Sequence, residues 1–177
     1  MSDTPLPTYA DARKAFKQEA SVSGFIELHK LVRVAESAVE KDGRIRASLA
    51  FVQDSAGRRR IRGRVTGRLT LTCQRCLEPV SVDLDEELDL VLVADEAAAQ
   101  ELNKEFDPWI CGDHRLVLAD ILDEQLLLGM PIVSFHREGP CYEGTLAGMQ
   151  AENSIDDNSA AADPSSPFAV LAGLKLD

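Results

Sequence analysis

Four side chains in this sequence have the types and spacing of a metal site. Cys73 and Cys76 form a Cys-x-x-Cys pair, and four residues separate His136 from Cys141 in a polar loop. A Cys-x-x-Cys turn can direct two thiolates at one metal ion, and a histidine with a third cysteine completes a tetrahedral zinc site. We therefore predict that one zinc ion is bound by Cys73, Cys76, His136 and Cys141.

The cysteines allow two other interpretations, because a single Cys-x-x-Cys pair is also found as a redox pair or as ordinary reduced thiols. A redox pair of the thioredoxin type lies at a helix N-terminus, whereas strands are predicted on both sides of this pair, which disfavours redox chemistry. Cys111 has no partner at ligand spacing, so we interpret it as a core residue. His29 and His114 are isolated and are interpreted as surface or capping residues.

Arginines are concentrated in residues 57–76, which hold seven of them and no acidic residue. Alternate residues of a strand stand about 7 Å apart on one face, so such arginines could follow the phosphates of an RNA. Arg68 is expected to pair instead with Asp85 on the next strand, and Arg64 with Asp89. The candidates for RNA binding are therefore the four arginines at the start of this segment, away from these predicted ion pairs: Arg58, Arg59, Arg60 and Arg62.

The composition excludes several classes of protein. Thirty acidic against nineteen basic residues give a net charge of −11, which opposes indiscriminate nucleic-acid binding. No apolar stretch approaches the roughly 18 residues of a membrane helix, and no signal peptide is recognisable, so we expect a cytoplasmic protein. None of the usual catalytic motifs is present, so we expect no enzymatic activity and no small-molecule substrate.

The strands and helices that position these residues can be predicted from the hydrophobic pattern, which indicates an α+β fold. Apolar residues alternate with polar ones in three successive segments, which is typical of an antiparallel β-meander. The strands are predicted at 44–53, 58–72 and 80–93. Helices that cover the apolar face are predicted near 8–20, with Thr8 as N-cap, and near 30–39 and 116–129. A short apolar strand is expected at Ile132, Val133 and Phe135.

The C-terminal part of the chain has a different composition. Residues 149–166 are mostly Ala, Ser, Asn, Asp and Pro, which predicts a disordered linker after a single domain at 1–148. An apolar segment, 167–177, follows, and its large side chains are Phe168, Val170, Leu171 and Leu174. It could pack on the protein's own core, but we favour docking to a partner.

Three stretches carry a family resemblance: 69–79 (LTLTCQRCLEP), 123–131 (DEQLLLGMP) and 167–175 (PFAVLAGLK). With 33–37 (RVAES), they make the chain resemble the bacterial YceD family, the large ribosomal RNA subunit accumulation proteins. The resemblance implies a cytoplasmic protein needed for accumulation of 23S ribosomal RNA. Additional cysteines near the His136 to Cys141 position in some family members support a metal site.

Two functions are therefore considered. The first is a non-enzymatic ribosome biogenesis factor whose partner is the large-subunit precursor, through 23S RNA or through a ribosomal or processing protein. The alternative is a zinc-stabilised or redox-responsive regulator that binds protein without contacting RNA.

Overall fold

A five-stranded sheet is the largest element of our computed structural model, which describes residues 4–102, 104–139 and 141. The strands lie in chain order and each is antiparallel to the one before it, except that the last is parallel to its neighbour. They are β2 (Ser21–Glu27), β3 (Arg44–Gln53), β4 (Arg59–Thr72), β5 (Pro79–Val93) and β6 (Asp107–Ile110). The predicted meander is confirmed as β3, β4 and β5.

All the named helices and strands belong to the first of two compact units, Met1–His136, and the second unit is Arg137–Asp177. The predicted linker at 149–166 and the apolar segment at 167–177 lie outside the described residues. The division of the chain at 148 therefore stays a prediction.

The first helix is shorter than expected. Residues 8–20 were predicted as one helix, but Tyr9–Asp11 form a strand, β1, that pairs antiparallel with β7 (Arg115–Val117). Helix α1 is Ala12–Lys17, and its N-cap is Asp11, whose carboxylate accepts a hydrogen bond from the Lys14 N–H at 3.0 Å. The prediction that Thr8 caps this helix was wrong, because pairing with β7 keeps the preceding residues extended.

The second helix is also divided. Leu28–Lys30 form a 3₁₀ turn, and α2 is Val32–Ser37 rather than one helix over 30–39. Within Met1–His136, the described residues also form α3 (Glu96–Glu101) and α4 (Leu118–Gly129), and α4 agrees with the prediction of 116–129. None of the helices in the described residues has the length and apolar character needed to cross a membrane.

The segment after α4 is not the strand that was predicted. Ile132, Val133 and Phe135 are all exposed, Ile132 at 95%, and they join no sheet. The carbonyl of Ser134 accepts a hydrogen bond from the Gln74 N–H at 2.8 Å, so the segment lies along the β4–β5 loop instead.

The core lies on one face of the sheet. Buried residues of α1, α2 and α4 form one cluster with the inner side chains of β3, β4 and β5. Phe16 and Phe51 meet edge to face, with ring centroids 5.5 Å apart. The opposite face carries polar and charged side chains, which follows from the alternation along each strand.

Candidate metal centre

The Cys-x-x-Cys pair lies in a tight loop that joins β4 to β5. Pairing of Thr72 with Pro79 closes the hairpin. Within the loop, the Cys73 N–H donates to the Glu78 carbonyl and the Leu77 N–H donates to the Cys73 carbonyl, both at 2.9 Å. Leu77 has a φ of 64°, a left-handed conformation that reverses the chain at the end of the turn.

His136 is held against this loop by contacts of its own carbonyl and of the two residues before it. The Arg75 guanidinium donates to the His136 carbonyl at 2.8 Å and lies 5.1 Å from the centroid of the Phe135 ring. The Ser134–Gln74 hydrogen bond fixes the backbone two residues earlier. The path of the chain after α4 therefore delivers the imidazole to the cysteines.

The potential ligand atoms of Cys73, Cys76 and His136 lie within 4.8 Å of one another. The Cys76 Sγ is 3.5 Å from the His136 Nδ1. In a tetrahedral zinc site with Zn–S of about 2.3 Å and Zn–N of about 2.0–2.1 Å, a sulfur and a nitrogen ligand stand about 3.5 Å apart. The observed separation therefore fits zinc coordination.

The hydrogen bond of His136 Nε2 fixes the orientation of the ring, so that Nδ1 faces the cysteines. Its Nε2 is 3.1 Å from the Pro79 carbonyl oxygen, which can only accept a hydrogen bond. Nε2 therefore donates to this carbonyl, and in the neutral imidazole Nδ1 presents its lone pair towards Cys76. A backbone carbonyl that orients an imidazole in this way is common around metal-binding histidines.

The Cys73 thiol is fully buried, yet it is set up to lose its proton. Burial raises its pKa, but hydrogen bonds from the backbone N–H groups of Cys76, Arg75 and His136, with one from the Cys76 thiol, outweigh burial. Together they lower the pKa of Cys73 to about 5. The lowered pKa favours the thiolate, which is the form that binds metal.

The other predicted ligand, Cys141, belongs to the second compact unit, and its role stays a prediction. Cys111 is buried in the hydrophobic core, as expected, and burial raises the pKa of its thiol. His29 is exposed. His114 is half-buried, with its Nε2 2.7 Å from the Arg13 guanidinium.

The prediction that Arg64 and Arg68 pair with acids of the next strand is confirmed, but the predicted partners were wrong. Arg68 pairs with Asp83 at 2.6 Å, and Arg64 pairs with Asp85 through contacts of 2.5 and 2.6 Å. The strand register explains the difference: it places Arg68 opposite Asp83, and Arg64 reaches its partner diagonally.

The arginines predicted to bind RNA also have partners. Arg60 donates twice to Asp89, at 2.8 and 2.6 Å, and Arg62 donates once to the same carboxylate at 3.0 Å. Arg58 donates to Asp54 at 2.7 Å.

Aromatic rings lie beside three of these side chains. The guanidinium carbons of Arg58 and Arg60 lie 4.0 and 5.1 Å from the centroid of the Phe106 ring, and Arg59 lies 5.9 Å from that of Phe16. Sequence reasoning missed both Phe106 and Asp54, although the spacing of four residues between Asp54 and Arg58 was a usable signal. RNA binding by these arginines stays a prediction.

Comparison with known proteins agrees with the resemblance carried by the sequence motifs. Residues 61–175 match the family described as "Large ribosomal RNA subunit accumulation protein YceD". The chain belongs to the YceD family. A YceD protein of Haemophilus influenzae, named "Large ribosomal RNA subunit accumulation protein YceD", is 27% identical over 176 residues, which are 99% of each chain. No solved structure matches the chain. The part that matches the YceD family includes the whole Cys-x-x-Cys loop and His136.

Proposed function

We propose that this YceD-family protein is a cytoplasmic, non-enzymatic ribosome biogenesis factor needed for accumulation of 23S ribosomal RNA. The observation that carries the proposal is the family match over residues 61–175, together with a relative that is similar along its whole length. The name of that relative concerns accumulation of large-subunit ribosomal RNA rather than a chemical reaction. The partner is accordingly the precursor of the large subunit, contacted through 23S RNA or through a ribosomal or processing protein.

The Cys-x-x-Cys loop has a structural role in this proposal. Cys73, Cys76 and His136 bind one zinc ion and Cys141 supplies the fourth ligand, supported by the 4.8 Å grouping of the first three and by the short spacing between the last two. A bound zinc supplies a crosslink that contributes directly to folding free energy. Cys73 and Cys76 belong to the β4–β5 loop and His136 to the chain after α4. Contacts among them therefore hold the loop, and the exposed surface around it, in one conformation.

A protein-binding regulator without RNA contact is the second candidate. The net charge of −11 favours it, as does the pairing of Arg58, Arg60 and Arg62 with carboxylates. The same zinc site would then stabilise a surface that recognises protein alone.

Co-sedimentation separates the two functions. Tagged full-length protein is centrifuged through a sucrose gradient with large-subunit precursors from cells, with and without prior RNase treatment. A biogenesis factor sediments with the precursor and not with the mature small subunit, and deletion of its gene lowers 23S relative to 16S RNA. Absence from the precursor fractions, with normal 23S levels in the deletion strain, contradicts the proposed function.

A further inference from the structure

A cluster of basic side chains lies where α1, β7 and the beginning of β4 meet. In the part of the chain that the structure describes, none of them is within ion-pair distance of a carboxylate. We name this cluster the basic patch, and its members are Arg13, Lys14, Lys17, Arg59 and Arg115.

Contacts between α1 and the loop that joins β6 to β7 bring the patch together. The Ala12 N–H donates to the His114 carbonyl at 2.8 Å, and the Arg13 guanidinium donates to the His114 Nε2 at 2.7 Å. Arg115 follows His114 directly as the first residue of β7. Arg13 and Lys17 are four residues apart in α1, so they share one face of that helix.

Arg59 reaches the same place from the start of β4. Its guanidinium carbon lies 5.9 Å from the centroid of the Phe16 ring of α1. Burial and the Asp113 carboxylate raise the pKa of the Cys111 thiol, and the charge of Arg59 opposes this rise. Arg59 therefore lies close both to α1 and to the loop between β6 and β7.

The patch keeps an excess of positive charge. The guanidinium groups of Arg13, Arg59 and Arg115 contact rings that carry no negative charge, those of His114, Phe16 and Tyr9. Three carboxylates belong to the same stretches of chain, against five cations: Asp11, Glu19 and Asp113. Two of the three accept hydrogen bonds from backbone N–H groups, Asp11 from Lys14 at 3.0 Å and Asp113 from Arg115 at 3.1 Å. The excess charge is therefore available to an anionic ligand.

An aromatic ring at the edge of the patch indicates which kind of anion fits. Tyr9 of β1 is 54% exposed, and the guanidinium carbon of Arg115 lies 4.7 Å from the centroid of its ring. The bases of single-stranded RNA stack on exposed aromatic rings while neighbouring cations bind the phosphates. In an RNA duplex the base faces are covered, and an acidic peptide has carboxylates but no flat group that stacks on tyrosine.

We propose that the basic patch and Tyr9 bind single-stranded RNA, an inference that rests on the proposed ribosomal function. The guanidinium and ammonium groups contact phosphates, and a base stacks on the tyrosine ring. Of the RNA-binding residues predicted from the sequence, only Arg59 belongs to the patch. Carboxylates bind the other three: Arg58, Arg60 and Arg62.

Fluorescence anisotropy with the full-length protein and a labelled 12-nucleotide single-stranded RNA tests the proposal. The Lys17→Gln/Arg115→Gln variant is expected to bind at least about tenfold more weakly. The slope of log affinity against log salt should fall by about 1.4, because two phosphate contacts are lost. Both side chains are exposed, and thermal unfolding establishes that the variant is folded.

The matched control is Lys30→Gln/Arg33→Gln, which removes the same two charges from exposed side chains outside the patch. It should leave the affinity within twofold. Equal affinity of the two double variants would overturn the proposal, as would a wild-type protein that does not bind the RNA. A larger loss in Arg58→Gln/Arg62→Gln than in Lys17→Gln/Arg115→Gln would place the site at the sequence-predicted arginines instead.

The Tyr9→Leu variant separates RNA from an acidic protein segment, because it removes the ring and keeps the charge of the patch. RNA binding should weaken about fivefold or more, since base stacking is lost. The salt dependence should stay unchanged, since no phosphate contact is lost. A Tyr9→Leu variant that binds RNA like the wild type would overturn the assignment to single-stranded RNA. Poly-glutamate that competes as well as RNA at equal charge would then assign the patch to an acidic protein segment.

Failure of the patch and failure of the proposed function give different results. If the wild type sediments with large-subunit precursors while Lys17→Gln/Arg115→Gln binds RNA normally, only the patch is wrong. If the wild type does not sediment with precursors, the function itself is wrong whatever the anisotropy shows.

Discussion

Asp123 of α4 caps a different helix: its carboxylate accepts a hydrogen bond from the backbone N–H of Val34, in the first turn of α2, at 3.0 Å. It also accepts one from the Arg33 N–H at 3.1 Å. Helix α2 has no side-chain cap of its own, so the buried Asp123 carboxylate satisfies two N–H groups at its start, and the hydrogen bond from Val34 is itself buried. Two stretches that carried the family resemblance, 33–37 and 123–131, thus meet at this cap.

Replacing Asp123 should destabilise the protein without touching the metal centre. Asp123→Ala leaves two helix N–H groups unpaired, and we expect the free energy of unfolding to fall by about 2 kcal/mol. Urea denaturation measures this change. The control is Glu124→Ala, an exposed neighbour whose loss should cost under about 0.5 kcal/mol. Equal effects of the two substitutions would show that the cap contributes little.

Two glycines of β4 are expected to differ in their tolerance of alanine. A Cβ on Gly63 would lie 2.2 Å from the Ser48 carbonyl oxygen, which is backbone, whereas one on Gly67 would lie 2.3 Å from the Ile45 Cδ1, the end of a flexible side chain. Gly63→Ala should therefore cost more than Gly67→Ala, with both in the range of about 1–3 kcal/mol.

The matched control for these glycines is Gly43→Ala, where the nearest atom would be 3.7 Å away. It should be neutral or slightly stabilising, because alanine reduces the entropy of the unfolded chain. Chemical denaturation of the three variants gives the order, and a Gly67→Ala cost above that of Gly63→Ala would contradict the packing described for β3 and β4.

The pairing of Arg64 with Asp85 should make stability depend on acid pH. The hydrogen bond and charge of Arg64 lower the pKa of Asp85 below its ordinary value of 3.8. A lowered pKa stabilises the folded state above the unfolded pKa, and this contribution is lost as the pH falls through the folded pKa. Arg64→Gln should therefore lower the urea midpoint at pH 7 and have a smaller effect near pH 3.

The comparison at the two pH values uses Arg33→Gln as control, since Arg33 is also exposed and its partner Glu124 is 3.9 Å away. An Arg64→Gln effect that is as large near pH 3 as at pH 7 would mean that Asp85 is not the source of the stabilisation. High salt should reduce the effect at pH 7.

The predicted docking of the C-terminal segment can be tested by truncation. Deleting 167–177 should leave the thermal midpoint nearly unchanged and abolish sedimentation with large-subunit precursors. The measurement pairs differential scanning calorimetry with the sucrose gradient. A midpoint lower by many degrees would mean that Phe168, Val170, Leu171 and Leu174 belong to the core.

Structural features that depend on residues close together in the sequence could be predicted, whereas features that depend on distant residues could not. The β-meander was predictable because the period-two pattern of 44–53, 58–72 and 80–93 is local, and the grouping of Cys73, Cys76 and His136 was predictable from residue type and spacing. The exact partner of Arg68 was not, since a change in hairpin register alters every pair along the ladder.

Three other features depend on contacts between residues that are far apart in the sequence. A local sequence pattern does not predict such contacts. Asp11 replaces Thr8 as the cap because β7 pairs with the residues before it. Residues 132–135 have the apolar character of a strand, but the Gln74 N–H binds the Ser134 carbonyl and these residues join no sheet. The Asp123 cap joins residues 89 positions apart.

The zinc content of the protein tests the central structural claim, that the β4–β5 loop and His136 form a zinc centre. Full-length protein purified without chelator is analysed by inductively coupled plasma mass spectrometry beside Cys76→Ser and the control Cys111→Ser, a buried cysteine of the hydrophobic core. We predict about one zinc per chain in the wild type and in Cys111→Ser, and a loss of zinc in Cys76→Ser. A wild-type protein with almost no metal, or a Cys76→Ser variant that keeps its zinc, would contradict the account.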